Sequence, residues 1–368
     1  MKRIALTATT DLSFDQRMQR IAAALAEGGY DVWLIGRALP HSPPLQPAPW
    51  HQVRLPCRHH KGKLFYLEYN WKLWRLLRQL EWDAIAAADL DTLLPAALVA
   101  SAKRIPLVFD AHEHFTEVPE VVDRPLVRWL WERVARFGIP RARLAYTVGP
   151  RLAEVLGRTY GRPFEVVRNV PVYDERLPVR TRPPEPPFVI LYQGALNEGR
   201  GLECAIEAMA LLPDAFELWL AGEGDLSAAL RQMAAASPAA ARIRFLGRLQ
   251  PAVLRKLTPE AWLGLNLLEN KGLSYYYSLA NKAFDYIHAG VPALHPDFPE
   301  YRQLVSEHGT GLLVERLDPA LLARTVEELA RQPERWQAMH HRCLELRRRL
   351  CWQHEAEHLR ALYARLWA

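Results

Sequence analysis

The sequence predicts an α/β protein built from two doubly wound domains that face each other across a cleft. Short apolar runs alternate with amphipathic helical stretches along nearly the whole chain, and a proline-rich interruption divides this alternation into two series. The length of 368 residues also exceeds what one hydrophobic core usually holds. Strands that alternate with helices favour a parallel sheet covered on both faces.

Short apolar runs predict five strands in the first series: 2–6, 30–35, 83–87, 106–109 and 144–148. Ser13 and Gln16 have the S-x-x-Q spacing of a capping box, which predicts a helix start. The helix that follows presents one apolar face, formed by Met18, Ile21, Ala22 and Leu25. Asp15 is expected to serve this helix start rather than a binding site.

The second series predicts strands at 188–192, 216–220, 243–246, 262–268 and 291–294. We therefore expect an N-terminal domain over 1–172, a stiff proline-rich linker over 173–187 and a C-terminal domain over 188–350. The last segment, 351–368, reads as a helix.

The composition excludes several classes of protein. Half of the residues are hydrophobic and 24% are charged, which is typical of a soluble globular chain. No apolar run reaches the roughly 18 residues of a membrane span, and Asp11 follows the start too soon for a signal peptide. The four cysteines lack zinc-ligand spacing, so reduced thiols in a cytoplasmic protein are expected. The net charge of +6 favours an anionic partner but does not choose between nucleotide, phospholipid and nucleic acid.

Two segments of the second series could bind an anion. In 193–201, glycines allow close backbone approach to a ligand, and Arg200 can hold phosphate oxygens in a bidentate manner. In 278–285, we expect Asn281 to cap a helix whose free amides and Lys282 form a second anion site. Each segment alone could equally be a solvated turn or a capped surface helix. The spacing of the glycines does not fit a dinucleotide fingerprint.

In the first series, polar side chains follow two predicted strands. His112 and Glu113 come at the end of 106–109 and could orient sugar hydroxyls or polarise a reacting group. Asp11 and Arg17 follow the first strand and, together with Asp91, suit recognition of an acceptor. Neighbouring residues on one loop rarely converge on a metal ion, so no metal site is expected.

The segment 58–78 interleaves basic and aromatic residues. This pattern suits an anionic membrane surface, and it suits nucleic acid less well because no nucleic-acid-binding motif accompanies it. A simpler interpretation is an amphipathic helix that packs Leu73, Leu76 and Leu77 into the core and leaves its basic side chains in water.

Short motifs occur in order along the chain: 15–17 (DQR), 29–32 (GYDV), 35–37 (IGR), 89–95 (DLDTLLP), 110–113 (DAHE), 168–171 (RNVP), 194–201 (GALNEGRG), 245–247 (FLG), 281–286 (NKAFDY) and 289–292 (AGVP). In this order they resemble the retaining GT-B glycosyltransferases of family four and group 1, which include bacterial mannosyl- and glucosyltransferases of envelope assembly. The resemblance implies two Rossmann-like domains, a donor bound mainly to the C-terminal one, and a reaction centre in the interdomain cleft.

The resemblance also assigns roles to residues. Arg200 would hold the diphosphate, Asp285 would replace the glutamate that accepts from the ribose hydroxyls, and His112 would contact the transferred sugar. We take His112, Arg200 and Lys282 as catalytic candidates. The donor-binding candidates are Gly194, Asn197, Gly201, Gly222, Phe245, Gly247, Ser278, Asn281 and Asp285. The acceptor-side candidates are Asp11, Arg17, Asp91 and Glu113. The final helix of 351–368 would return to the N-terminal domain.

Two positions depart from the family pattern. Tyr277 stands where many relatives have a second glutamate, and Ala195 stands where many have an arginine after the glycine of the diphosphate loop. We hypothesise that Lys282 supplies the missing positive charge. These departures leave the recognition of the donor sugar open.

The expected function is therefore transfer of a hexose from a UDP- or GDP-linked donor to an acceptor hydroxyl, without a metal cofactor, for envelope polysaccharide or glycolipid synthesis. The acceptor would be a glycan or a lipid-linked sugar. The enzyme would be cytoplasmic or peripheral at the inner face of the membrane, and no nucleic acid is expected as a partner. The alternatives are a nucleotide-sugar epimerase and a catalytically silent nucleotide-binding subunit of the same fold.

Overall fold

The computed structural model describes residues 1–13, 15–180 and 185–367. The chain forms two compact units: Met1–Asn169 together with the segment from His354 onward, and Val170–Gln353. The proline-rich segment 173–187 falls at the start of the second unit, and its residues 181–184 lie outside the described residues. None of the helices in the described ranges is long and apolar enough to cross a membrane.

The first unit contains a seven-stranded parallel sheet of order β3-β2-β1-β4-β5-β6-β7. Its strands are β1 (Arg3–Thr7), β2 (Asp31–Ala38), β3 (His51–Pro56), β4 (Ala84–Ala88), β5 (Leu107–Ala111), β6 (Leu144–Thr147) and β7 (Glu165–Val166). The five strands expected from apolar runs are confirmed. The sequence did not predict β3 and β7, two strands of mostly half-exposed residues at the sheet edges, because neither forms an apolar run.

The helices of the first unit are α1 (Gln16–Glu27), α2 (Gly62–Gln79), α3 (Asp89–Lys103), α4 (Pro119–Val122), α5 (Pro125–Gly138) and α6 (Pro150–Tyr160). The apolar face predicted for α1 is confirmed, since all four of its members are buried. The predicted capping box is wrong. Asp15 caps the helix by accepting from the N–H of Met18 over 3.0 Å, which confirms the capping role expected for Asp15.

The second unit contains a six-stranded parallel sheet of order β10-β9-β8-β11-β12-β13. Its strands are β8 (Phe188–Gln193), β9 (Phe216–Ala221), β10 (Ile243–Gly247), β11 (Leu263–Leu265), β12 (Ala293–Pro296) and β13 (Gly311–Val314). The sequence predicted β8 to β12 and missed β13, which is four residues long. The two sheets confirm the predicted fold class of two doubly wound α/β units.

The helices that follow are α7 (Leu202–Leu211), α8 (Ser227–Ala236), α9 (Pro251–Leu257), α10 (Leu273–Tyr276), α11 (Asn281–Ala289), α12 (Pro299–His308), α13 (Pro319–Ala330), α14 (Pro333–Leu346) and α15 (Trp352–Ala364). The prediction that Asn281 caps α11 is wrong, because Ala280 is the N-cap and Asn281 is the first helical residue. The hydroxyl of Tyr301 accepts from the N–H of Ala280 over 2.9 Å and fixes this start.

Most of α15 belongs to the first unit. Glu355 accepts from the backbone N–H of Arg168 over 2.8 Å and pairs with its guanidinium over 3.2 Å. Tyr363 is fully buried, and Trp367 contacts the ring of Tyr30 with centroids 5.4 Å apart. The final helix is therefore part of the core of the first unit.

Candidate active site

His112 lies between two carboxylates at the carboxyl end of the first sheet. Its Nε2 is 3.1 Å from Asp110 Oδ2, and its Nδ1 is 3.2 Å from Asp89 Oδ2. The backbone N–H of His112 also donates to Asp89 Oδ1 over 2.8 Å. Strand register explains this meeting, because Ala88 of β4 pairs with Asp110 of β5 and so brings Asp89 beside His112. The imidazole remains 27% exposed, which leaves it accessible to a ligand.

The charges of this cluster balance one another. Burial lowers the pKa of His112, but Asp89 and Asp110 outweigh burial and raise that pKa to about 9. Burial opposes ionisation of Asp110, yet the charges of Arg17 and His112 hold its pKa at about 2. At neutral pH His112 is therefore an imidazolium that cannot accept a proton.

Arg17 supports the cluster from inside the unit. Its Nη2 is 2.7 Å from Asp110 Oδ1, its Nε donates to Asp110 Oδ2 over 3.2 Å, and its Nη1 donates to the carbonyl of Val167 over 3.1 Å. The side chain is only 4% exposed. The structure thus places Arg17 where it positions Asp110, and not at an exposed acceptor surface.

The other acceptor-side candidates have different surroundings. Asp91, at the start of α3, accepts from the hydroxyl of Thr9, and burial raises the pKa of Asp91 to about 6. Asp11 accepts from the N–H of Ser13 over 3.0 Å, so it shapes its own loop. Glu113 is exposed. Asp91 is therefore the candidate whose environment departs most from that of a solvated carboxylate.

In the second unit, two loops approach each other through glycines at the carboxyl ends of β8 and β9. A Cβ on Gly222 would lie 1.8 Å from the carbonyl oxygen of Gly194, so no other residue fits there. Gly201 has a φ of 64°, and a Cβ on it would lie 2.6 Å from the carbonyl oxygen of Leu267. These contacts explain why positions 201 and 222 are glycine, and Gly194 itself is exposed.

Two cations gather beside this glycine loop. The Nζ of Lys282 lies 3.9 Å from the centre of the Tyr192 ring, and a Cβ on Gly194 would be 3.5 Å from that Nζ. The guanidinium carbon of Arg200 lies 4.9 Å from the centre of the Tyr275 ring, and its buried Nε has no hydrogen-bond partner. Among the described residues, no carboxylate forms an ion pair with either cation.

Lys282 is 9% exposed, although it carries an amine. Burial and the charge of Arg200 together hold the pKa of Lys282 well below its usual value, and Asp285 opposes them only in part. An unpaired buried amine of this kind gains most from an anionic ligand, which would restore the charged form.

Three polar side chains near these cations were not predicted from the sequence. His295 of β12 is buried, and burial together with the charge of Lys282 lowers its pKa to about 3. Its Nδ1 is 3.2 Å from the amide nitrogen of Asn266, and its ring stacks on Tyr301 with centroids 5.0 Å apart. The sequence did contain one signal that could have indicated these residues, namely polar residues at the ends of apolar strands, as in Leu265-Asn266-Leu267.

Asp285 is tied to the glycine loop by a hydrogen-bonded relay. Gln193 donates through Nε2 to Asp285 Oδ2 over 3.0 Å and accepts from the hydroxyl of Thr258 over 2.9 Å. The hydroxyl of Ser278 donates a hydrogen bond to the carbonyl of Tyr275 over 2.8 Å. Asn281 is exposed at the start of α11. The structure thus brings Asp285 to the same loop as Gly194.

The remaining donor-side candidates lie around the turn after β9. The guanidinium of Arg231 lies 4.8 Å from the centre of the Phe245 ring and pairs with Glu223 over 2.6 Å. A Cβ on Gly247 would lie 3.8 Å from Glu223 Oε1. Asn197 accepts from the N–H of Asp225 over 3.1 Å, so it organises the loop. Phe245, Gly247 and Asn197 therefore lie near the glycine loop, at the same edge of the second sheet.

Comparisons with known proteins identify the family of the chain. Residues 16–171 match the model of Glycosyltransferase Family 4, and residues 187–332 match that of Glycosyl transferases group 1. EpsD of Bacillus subtilis (strain 168), a protein named as a glycosyltransferase, is 25% identical over 167 residues. That match covers 45% of this chain and 42% of EpsD, so it spans less than half of the relative.

Solved structures share the whole fold. Sucrose-phosphate synthase from Thermosynechococcus elongatus has a TM-score of 0.78 at 18% identity, over 100% of this chain and 99% of that one. Anabaena HepE in complex with UDP-glucose has a TM-score of 0.75 at 15% identity, over 99% and 100%. WaaG, a glycosyltransferase involved in lipopolysaccharide biosynthesis, has a TM-score of 0.72 at 16% identity, over 97% and 98%. The chain belongs to the glycosyltransferases, with a Family 4 domain followed by a group 1 domain.

Proposed function

We propose that the protein transfers a sugar from a nucleoside diphosphate sugar to an acceptor hydroxyl, with retention of anomeric configuration. The observation that carries this proposal is a pair of basic side chains, Arg200 and Lys282, which lie over tyrosine rings beside a glycine loop and form no ion pair among the described residues. The charge of Arg200, the Lys282 amine that an anion would protonate, and the exposed backbone at Gly194 suit a diphosphate.

The donor is a UDP- or GDP-linked hexose. HepE, which has the same fold, binds UDP-glucose, and this favours a uridine nucleotide. In this proposal Asp285 accepts hydrogen bonds from the ribose hydroxyls, and the turn after Phe245 contacts the base. Lys282, whose amine lies beside Gly194, compensates for the missing arginine at Ala195.

The chemistry is electrostatic. Breaking the bond between the anomeric carbon and the phosphate oxygen leaves negative charge on the departing diphosphate. Arg200, Lys282 and the amides at the start of α11 stabilise this charge, so no divalent metal is required. Because the free Lys282 amine is shifted towards its neutral form, donor binding would bring a proton to it. If no divalent metal is required, turnover should be insensitive to a metal chelator.

His112 contributes a fixed positive charge and a hydrogen-bonding edge to the transferred sugar. Its two carboxylate partners hold it protonated, so it acts by binding and polarisation and does not remove the acceptor proton. The retaining outcome is inferred from the family resemblance alone. It is tested by proton nuclear magnetic resonance of the anomeric signal in the product.

The acceptor is a glycan or a lipid-linked sugar of envelope polysaccharide or glycolipid synthesis, used at the cytoplasmic face of the membrane. The fold shared with WaaG, which is involved in lipopolysaccharide biosynthesis, supports this choice. The basic and aromatic segment 58–78 supports a peripheral association with an anionic membrane.

The test is nucleotide release from a panel of UDP- and GDP-sugars, with and without a lipid extract. We expect one donor to be turned over, and faster with the extract. Release of UDP with a changed sugar and no acceptor would indicate an epimerase. Nucleotide binding without turnover on any donor would indicate a silent subunit. Absence of both binding and turnover would overturn the proposal.

A further inference from the structure

Three helices of the first unit expose apolar side chains that its core does not use. Helix α3 contacts both α2 and α5. Right-handed crossovers place the three helices on one face of the sheet, because the chain moves in one direction along it from β3 through β6. We call the solvent side of these helices the outer face. Its largest apolar members are Leu67, Trp71, Leu98, Leu126, Trp129 and Leu130.

The spacing on α2 shows that its exposed apolar side chains form a stripe. On α2, Leu67, Trp71 and Arg75 recur every four residues, whereas the opposite side of this helix is buried in the core. The side chain of Leu67 is 69% exposed and that of Leu126 on α5 is 83% exposed. A helix on the surface of a water-soluble unit normally presents polar residues in these positions, so folding alone does not explain the stripe.

Cations border the apolar stripe. Arginines lie over exposed or half-buried tryptophans at the i, i+4 spacing: Arg75 over Trp71 at 5.7 Å, Arg78 over Trp74 at 4.6 Å and Arg133 over Trp129 at 5.2 Å. By contrast, the carboxylates that these helices carry near the stripe are already paired. Glu68 binds Lys72 over 2.7 Å and Glu132 binds Arg136 over 2.8 Å.

Tryptophan beside arginine, on a face that is apolar within and positive at its border, matches the interface of an anionic bilayer. There the indole rings lie among the headgroups and the cations meet lipid phosphates. We infer that the outer face of α2, α3 and α5 docks on an anionic phospholipid surface. This deepens the proposed function, because it extends the contact from 58–78 to two further helices.

Docking on this face has a consequence for the acceptor. Helices α2, α3 and α5 all begin at the carboxyl end of the sheet, where His112 and Asp91 lie. A lipid surface against these helices would therefore lie near the acceptor-side residues. An acceptor with a lipid anchor could reach them and stay in its membrane.

The experiment is co-sedimentation of the full chain with vesicles of phosphatidylcholine alone and with vesicles that also contain phosphatidylglycerol. We expect binding only to the second kind. Leu67→Glu and Leu130→Glu should each weaken binding by about ten-fold or more, because they place a negative charge in the apolar stripe. Leu211→Glu is the matched control, since Leu211 on α7 of the second unit is 55% exposed, as is Leu130.

A second pair of variants keeps the test independent of folding. Arg75→Gln and Arg133→Gln remove only exposed charges, and each should weaken binding about five-fold. Circular dichroism establishes that every variant is folded. If the glutamate variants lose their fold, the arginine variants decide the outcome.

The inference fails if the wild-type chain does not sediment with the phosphatidylglycerol vesicles, or if Leu211→Glu weakens binding as much as Leu130→Glu. It also fails if the variants instead break up an oligomer of a chain that binds no vesicles, because the outer face is then a protein interface. Vesicle binding is measured without donor. A failed nucleotide-release assay therefore leaves the docking result intact, and the reverse also holds.

Discussion

The two units treat buried charge in opposite ways. In the first unit, His112 and Arg17 are surrounded by carboxylates, and every charge of the cluster has a partner within the protein. In the second unit, Lys282 and Arg200 lie over tyrosine rings and form no ion pair within the described ranges. The first arrangement is complete without a ligand, whereas the second is completed by an anion.

The same contrast holds at two helix starts. The carboxylate of Asp15 accepts from an amide of the first turn of α1. The N-cap of helix α11, Ala280, makes no side-chain hydrogen bond to the first turn, and Lys282 is the second residue of this helix. A charged or polar group that is paired within the protein stabilises the fold, whereas one without such a partner is available to bind a ligand. The two clusters therefore predict different consequences when they are altered.

The largest expected effect is on stability, from Asp110→Asn. This change leaves Arg17 buried without its partner, so the free energy of unfolding should fall by about 3–5 kcal/mol. Denaturant titration measures it. Glu154→Gln, which breaks an exposed pair with Arg158 in the same unit, should cost less than about 1 kcal/mol. Equal losses in the two variants would contradict the contrast.

The next effect is on turnover, from Lys282→Ala. Loss of one charge on the leaving diphosphate should lower kcat about a hundred-fold or more, with little loss of stability. Nucleotide release under saturating donor measures it, and Lys256→Ala, an exposed lysine of α9, is the control. A Lys282→Ala enzyme as active as the wild type would remove the proposed role.

A smaller effect concerns pH. The pKa of His112 is raised to about 9, so the stability that its ion pairs contribute is fully present below the ordinary histidine value and is lost as pH rises through 9. Activity that needs the imidazolium should fall about ten-fold between pH 8 and pH 10. A pH–rate profile tests this. In His112→Gln the alkaline fall should disappear, and a fall that persists would belong to another group.

The smallest effect distinguishes the two interpretations of the first helix start. Asp15→Ala should lower the free energy of unfolding by about 1 kcal/mol, because it leaves an amide of α1 without its acceptor. Gln16→Ala, the other half of the capping box that the structure does not contain, should leave stability unchanged. The opposite result in thermal melts would restore the capping box.

The sequence predicted the two doubly wound units because buried parallel strands form apolar runs of their own, such as 188–192. It predicted the glycine loop and Lys282 for a related reason, since residues that follow a strand meet at one edge of the sheet. It could not predict that Asp89 and Asp110 enclose His112, because that depends on register between β4 and β5. His295 and Tyr301 were missed because local patterns do not show which strand ends lie near Lys282.

The two wrong helix caps have one cause. At each start the sequence offered a suitable polar residue, but hydrogen bonds from other residues help to decide which residue is the N-cap. Tyr301 decides the start of α11 by accepting the N–H of Ala280. The hydroxyl of Thr10, which donates to Asp15 over 2.8 Å, helps to decide the start of α1.

The placement of α15 affects the order in which the two units can complete their folding during synthesis. Arg168 has its partner Glu355 only after the whole second unit has left the ribosome, because the segment from His354 belongs to the first unit. The core of the first unit therefore stays incomplete and partly exposed to solvent until the second unit has been synthesised. A nascent chain stopped at Gln353 should expose this surface to chaperones and proteases.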